Sequence, residues 1–369
     1  MKKAVAVALA VLGGCATPTY DRPEVQRPEL RRVLRGPALI AALVPVRLPD
    51  RNGWVEDIHA AMAALKVQPT PENVCAVIAI IDQESNFRVD PAIPGLGALA
   101  RRELERRRER AGIPKVVVDS ALALPSSDGR SYNARLEAAT TERQLSDLFE
   151  DFAGRVPLAK TLFMEHNPVR TAGPMQVSIA FAELHAAAKR YPFRLTASVR
   201  DEVFTRRGGL YFGIAHLLDY AAPYDDMHYR FADFNAGRFA SRNAAFQKAV
   251  SDLVGAPLEL DGDLLRYENG RPVREVSRTE ALTRGLAVHF EMTAEDVRRD
   301  LELAQSAEFE KSRLYLSVFT LIDGVTGARA PRAVVPAIVV DSFKTTRRLT
   351  TANYAARVSE RYKGCLAQL

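Results

Sequence analysis

A single carboxylate stands where a proton donor would be useful. Glu84 follows the apolar run Val74-Cys75-Ala76-Val77-Ile78-Ala79-Ile80-Ile81 and precedes Ser85 and Phe87. Val74, Val77, Ile78 and Ile81 recur at helical spacing and the residues between them are also apolar, which predicts a helix buried on nearly every side. Thr70 is a capping residue, Pro71 suits the first helical position, and Glu72 complements the positive end of the helix dipole. A carboxyl group at the other end meets the negative end of the dipole and an apolar wall, and both disfavour its ionised form. A carboxylic acid kept protonated near neutral pH is what general acid catalysis requires. The plainer alternative is the first polar residue after a core helix.

Two other short segments carry polar groups at helix ends. Gly173-Pro174-Met175-Gln176-Val177 precedes a predicted helix over 179–191, and Ala232-Asp233-Phe234-Asn235-Ala236-Gly237 closes one that begins near residue 227. Each alone reads equally as core, turn and cap. The six histidines show no metal-ligand spacing, there is no His-Glu-x-x-His, and no glycine-rich phosphate loop occurs. No metal or cofactor is therefore expected.

Taken in order, Gln83-Glu84-Ser85-Asn86-Phe87, Gly173-Pro174-Met175-Gln176 and Ala232-Asp233-Phe234-Asn235-Ala236-Gly237 resemble the motifs of the lysozyme-like lytic transglycosylases, the superfamily of goose-type lysozyme and the soluble lytic transglycosylases. Those enzymes carry Glu-Ser-x-Phe, Gly-Leu-Met-Gln and Ala-Tyr-Asn-Ala-Gly at helix ends lining one cleft. Gly208-Gly209-Leu210-Tyr211-Phe212-Gly213 matches the helix before the third motif, and Arg347 to Tyr354 is a loose echo of a fourth. The resemblance implies Glu84 as the catalytic acid/base, with Ser85, Met175, Gln176, Phe234 and Asn235 at the glycan. It implies cleavage between N-acetylmuramic acid and N-acetylglucosamine with formation of a 1,6-anhydro sugar, and peptidoglycan glycan strands as the partner. A water-consuming hydrolase would need a second carboxylate, with Asp90 and Asp233 as candidates; a non-catalytic glycan-binding lipoprotein is the other alternative. Pro174 replaces leucine, and Phe234 replaces a tyrosine whose phenol would face the acid, leaving Tyr229 or Tyr211 to substitute. About ninety residues separate Glu84 from Gln176, more than in compact members, so residues 95–165 are expected to form an insertion beside the cleft.

The amino terminus adds an address. Met1-Lys2-Lys3 is positively charged, Ala4 to Leu12 is apolar, and Leu12-Gly13-Gly14-Cys15 resembles a lipoprotein lipobox. The apolar run is shorter than the roughly 20 residues that span a bilayer, so residues 1–15 read as an export signal with Cys15 as the lipidated residue. The implied location is the outer membrane, facing the periplasm, with the membrane contacted through the lipid. Of the two remaining cysteines, Cys75 and Cys365 can pair in an oxidising compartment; a buried free thiol at Cys75 is an equal alternative. The formal net charge of +6 suits an anionic partner such as nucleic acid, lipid or cell wall. The arginine-rich stretch 101–110 has glutamates at helical spacing, which makes it a solvated helix face and not a nucleic-acid arm.

Composition is that of a globular chain, with 47% hydrophobic and 26% charged residues. Helical spacing dominates and strand alternation is scarce, so a mainly α fold is expected. Residues 16–50, rich in proline, read as a tether, residues 51–253 as the lysozyme-like domain, and residues 254–369 as a mostly helical C-terminal extension. Whether that extension stands apart or wraps the first domain is left open by the pattern.

Overall fold

A computed structural model describes residues 34–155, 167–195, 197–268, 270–340 and 349–369. Cys15 and the export signal lie outside the described residues, as do residues 16–33 of the expected tether. The fold is mainly α. Sixteen described helices follow one another as α1 (Pro37–Leu43), α2 (Arg51–Ala64), α3 (Pro71–Ser85), α4 (Leu96–Arg110), α5 (Lys115–Ala123), α6 (Tyr132–Ala138), α7 (Glu142–Arg155), α8 (Ile179–Ala188), α9 (Val199–Val203), α10 (Arg206–Leu218), α11 (Met227–Ala236), α12 (Ala240–Val254), α13 (Arg278–Ala287), α14 (Ala294–Leu301), α15 (Arg313–Thr326) and α16 (Thr351–Leu366). The strands are two-residue ladders, of which β1 (Thr171–Ala172) and β2 (Val177–Ser178) pair antiparallel around the Gly173–Gln176 turn.

Helix α3 forms as its residues dictate. The Thr70 hydroxyl accepts from the Asn73 N–H at 3.2 Å, Pro71 opens the helix, and Val74 through Ile81 are all buried. The helix ends at Asn86, whose left-handed conformation (φ 49°) releases the chain. Around it sits one core built from α1–α11, to which α16 returns from the far end of the chain.

One expectation needs correction, and the open question of the C-terminal extension is answered. The proline-rich segment is not a tether throughout: residues 37–43 are helical, and Leu39, Ile40, Leu43 and Val44 enter the core. Prolines at both ends bound a short apolar stretch, and proline is well placed in a first helical turn. The extension also divides. Residues 245–322 build a second core on the outer face of α12, with Phe246, Phe309, Leu314 and Phe319 at its centre, whereas α16 belongs to the first core. Val339–Val340 form a short strand.

The segment 95–165 folds, over its described part, as α4–α7 with Leu122, Tyr132, Leu136, Leu145, Leu148 and Phe152 inward. On α4, Glu103 pairs with Arg106 and Arg107, and Glu105 with Arg101 and Arg108, which is the charge-laced solvated face read from the spacing. No described helix is long and apolar enough to cross a membrane.

Cys75 and Cys365 are bridged, with their Cα atoms 5.5 Å apart and a sequence separation of 290. The bridge joins α3 to α16. A cross-link closing so long a loop removes much of the freedom of the unfolded chain, and stabilisation of about 2–5 kcal/mol follows. Cys75→Ala with Cys365→Ala should lower the urea midpoint accordingly, and reducing agent should lower the wild-type midpoint to match while leaving the double variant unmoved.

Candidate functional site

The direction in which α16 packs decides the site. Cys365, near its end, is bonded to Cys75, near the start of α3, while Tyr354 in its first turn reaches Glu84 in the last turn of α3. Against α11, Ser359 meets His228 at 2.9 Å near that helix's start, and Thr351 donates to Asn235 near its end at 2.8 Å. Helix α16 is therefore antiparallel to both, and the carboxyl ends of α3 and α11 converge on its first turn. Two negative helix ends meet one positive end there. Arg361 adds a hydrogen-bonded ion pair to Asp82 at 2.8 Å.

Glu84 is half-buried. The Tyr354 hydroxyl is enclosed and faces it; burial first, then the Glu84 charge and hydrogen bonding to it, hold the phenol well above its ordinary range. Among the described residues no well-formed hydrogen bond satisfies that hydroxyl. Tyr354 is thus the phenol beside the acid. The expected substitutes are engaged elsewhere: Tyr211 meets His185 at 3.3 Å inside an aromatic cluster, and Tyr229 packs on Tyr224 and His228.

Ser85 ties the second segment to the first. Its hydroxyl donates to the Pro174 carbonyl at 2.8 Å and lies 3.1 Å from the Ile81 carbonyl, and the residue is buried. It supports the Gly173–Gln176 turn from beneath and does not present itself to a ligand. Met175 is fully enclosed as well. The reason lies in α10: a Cβ on Gly213 would come within 2.5 Å of the Met175 sulfur, and one on Gly209 within 2.5 Å of Pro174 Cδ. The two glycines, one turn apart, form a groove into which the turn is pressed. These are corrections to the reading of Ser85 and Met175 as glycan contacts; packing, not chemistry, selects them.

Gln176 remains half-buried, with its side-chain oxygen accepting from Thr171 at 3.1 Å. It adopts φ 48°, and Asn86 and Phe87 adopt φ 49° and 58°. Left-handed backbone at non-glycine residues is costly and survives where surroundings over-determine it. Phe87 is held by an edge-on contact with Trp54, ring centres 5.3 Å apart.

The third segment is anchored by Asp233, which is 1% exposed. Its carboxylate accepts from Tyr220 (3.0 Å), from Tyr224, and from the N–H groups of Phe239 (3.0 Å) and Ser241 (2.7 Å). Burial raises its pKa against those lowering contacts. So enclosed, Asp233 is closed to solvent, and its candidacy as a second carboxylate is withdrawn. Phe234 is buried against His216, ring centres 5.1 Å apart, and its carbonyl meets His216 Nε2 at 3.3 Å. Asn235 is half-exposed. Among the described residues no group of three or more His, Cys, Asp or Glu side chains is placed to hold a metal ion.

The sequence carried two signals for Tyr354. One was the loose echo over residues 347–354. The other was the cysteine pair: at about 1.5 Å per residue, an antiparallel α3–α16 pairing pinned at Cys75–Cys365 brings Tyr354 within a turn of Glu84.

The chain belongs to the family described as a protein of unknown function, DUF1615, which matches residues 47–368. It is 46% identical over 362 residues, 98% of this chain and 97% of the relative, to an Escherichia coli K12 protein that carries the name Uncharacterized protein YaiW. No solved structure matches the chain. The family's span takes in the second core and α16 with the first core, which agrees with residues 35–369 forming one compact unit.

His216 gives the site a pH signature. Burial, and secondarily the Arg238 charge, hold it well below its ordinary 6.5, at about 3, with the Phe234 carbonyl opposing weakly. The folded chain keeps it neutral where the unfolded chain takes up a proton, so its contribution is complete above about 6.5 and is lost as pH falls toward about 3. His216→Gln, which cannot titrate there, should lose less stability than wild type between pH 6.5 and 4 in urea titrations; parallel curves would remove His216 from the account.

Proposed function

We propose that this protein is a peptidoglycan lytic transglycosylase. The observation that supports the reading is the meeting of the ends of α3 and α11 with one turn of α16, where Tyr354 faces Glu84 and Thr351 bonds Asn235, with the Gly173–Gln176 turn attached to α3 through Ser85. In this reading one carboxylate, Glu84, carries both proton transfers. Glu84 in its acid form donates to the glycosidic oxygen between N-acetylmuramic acid and N-acetylglucosamine, and the bond to the anomeric carbon breaks. The carboxylate then takes the proton of the muramyl 6-hydroxyl as that oxygen bonds to the anomeric carbon. The product is a 1,6-anhydro sugar, the proton count closes, and no water enters. With Asp233 enclosed, a hydrolase, which uses a second carboxylate to activate or replace water, would have to draw on Asp90.

Digestion of purified sacculi should release anhydromuropeptides, and Glu84→Gln should reduce release by about 10²–10⁴-fold with an unchanged melting midpoint. Fragments with reducing ends would point to a hydrolase, and sacculus binding without release would point to a glycan-binding lipoprotein.

The lipobox-like Leu12-Gly13-Gly14-Cys15 supports anchoring to the outer membrane through a lipid on Cys15, with the folded unit in the periplasm. Cys15→Ser should move the protein from the detergent-extracted membrane fraction to the soluble fraction; unchanged fractionation would sink the anchor.

A further inference from the structure

Helix α15 is apolar on both sides. Leu314, Tyr315, Val318, Phe319 and Ile322 face the second core, and between Arg313 and Asp323 the helix has no charged residue. Its outward positions are apolar or small: Leu316 (54% exposed), Thr320, Gly324 and Val325 (69% exposed), with Leu321 half-buried beside them. Together with Phe290 they line an open groove of about 540 Å³. A surface helix ordinarily turns charged residues outward, as α4 does in this chain. The outward face of α15 departs from that rule, and no described residue covers it.

Two residues indicate what would cover it. A Cβ on Gly324 would meet nothing within 4 Å, so packing within the chain does not call for glycine there, although glycine inside a helix costs about 1 kcal/mol against alanine. Open space over a backbone admits a close neighbour. Leu316 stands two turns earlier on the same stripe. A helix with a large side chain at one end of a stripe and a gap at the other is complementary to itself run antiparallel. About a two-fold axis at Thr320, Leu316 of each copy enters the space above Gly324 of the other. The second residue is Arg313, which opens the helix and is exposed. A cation is unfavourable at the positive end of its own helix dipole. In the antiparallel pair Arg313 lies beside Gly327 of the second copy, at that helix's negative end. Its hydrogen bond to the Phe290 carbonyl at 2.6 Å uses one guanidinium nitrogen and leaves others for this contact.

We propose that the outward face of α15 docks a second copy of this chain, helix against helix and antiparallel, with Thr320 on the two-fold axis. One helix face a side is smaller than the standard interface of about 800 Å² per partner, so the pair exchanges readily with monomer. The proposal is independent of the reaction assigned to Glu84.

The test uses the full chain with Cys15→Ser, which leaves no free thiol once Cys75 and Cys365 are bridged. Velocity sedimentation should show a concentration-dependent dimer, half formed at about 10–100 µM. Thr320→Glu sets two carboxylates together on the axis and should weaken the dimer at least about tenfold. Gly324→Leu fills the gap and should weaken it similarly, with the melting midpoint unchanged or raised because leucine is the better helix former. Thr320→Cys should cross-link to itself on mild oxidation. Leu316→Cys and Gly324→Cys should cross-link when mixed but not alone, because like positions then lie about 12 Å apart along the helices. A chain that stays monomeric at about 100 µM overturns the inference, as do cross-links formed equally by all three single cysteines. A monomer that floats with phosphatidylethanolamine–phosphatidylglycerol vesicles, and no longer does so with Leu316→Glu, makes this face a membrane contact and overturns the inference too.

Discussion

The docking of α16 across α3 and α11 is the contact on which the arrangement depends. It brings the last helix of the chain to the middle of the first core, 290 residues from its covalent partner on α3. Its buried positions are Thr351, Ala355, Val358, Ser359 and Cys365, and Tyr354, Tyr362 and Leu366 pack against the core beside them, with Tyr362 edge-on to Phe231 at 5.6 Å between ring centres. The disulfide, the Arg361–Asp82 pair and the hydrogen bonds at Ser359 and Thr351 add to that apolar contact. The same antiparallel direction that satisfies the bridge brings Tyr354 to Glu84.

Around this contact the three segments are held by packing and by buried polar groups rather than by one another's reactive atoms. Gly209 and Gly213 open the groove for Pro174 and Met175. Proline at 174 keeps the carbonyl that Ser85 uses. Asp233 gathers two phenols and two backbone N–H groups, so the turn after α11 is fixed by a saturated carboxylate. Glu84, Gln176 and Asn235 are the half-exposed residues that remain, and they are the polar types a glycan cleft would present.

The second core has its own economy of charge. Arg242 is fully buried between Phe239 and Phe309, with ring centres 4.3 and 5.2 Å from its guanidinium carbon, and donates to Asn243, to the Ser306 and Ala304 carbonyls and to Glu310. A planar cation with five donors suits that position as lysine would not. Through α12 this network abuts the Asp233 turn, since Ser241 serves Asp233 on one side and accepts from the Val334 N–H on the other. The extension thereby braces the third segment.

Helix periodicity, capping and turn residues made the helical class, the buried α3 and its Thr70 start legible, because these are local effects decided within a few residues. The order of the three polar segments was also legible, and so was the possibility of the Cys75–Cys365 bridge. Local spacing did not reveal that residues 37–44 join the core, that Ser85 and Met175 point inward, or that Asp233 is enclosed. It also misplaced the phenol, which comes from Tyr354 and not from Tyr211 or Tyr229. Each of those depends on partners far along the chain, and a period of 3.6 marks a face as apolar without saying what covers it. The sequence by itself determined a mainly α chain with the Glu84 carboxylate at the end of a buried helix. Only the tertiary structure decided what stands beside that carboxylate, because α16 reaches it by long-range packing and a disulfide.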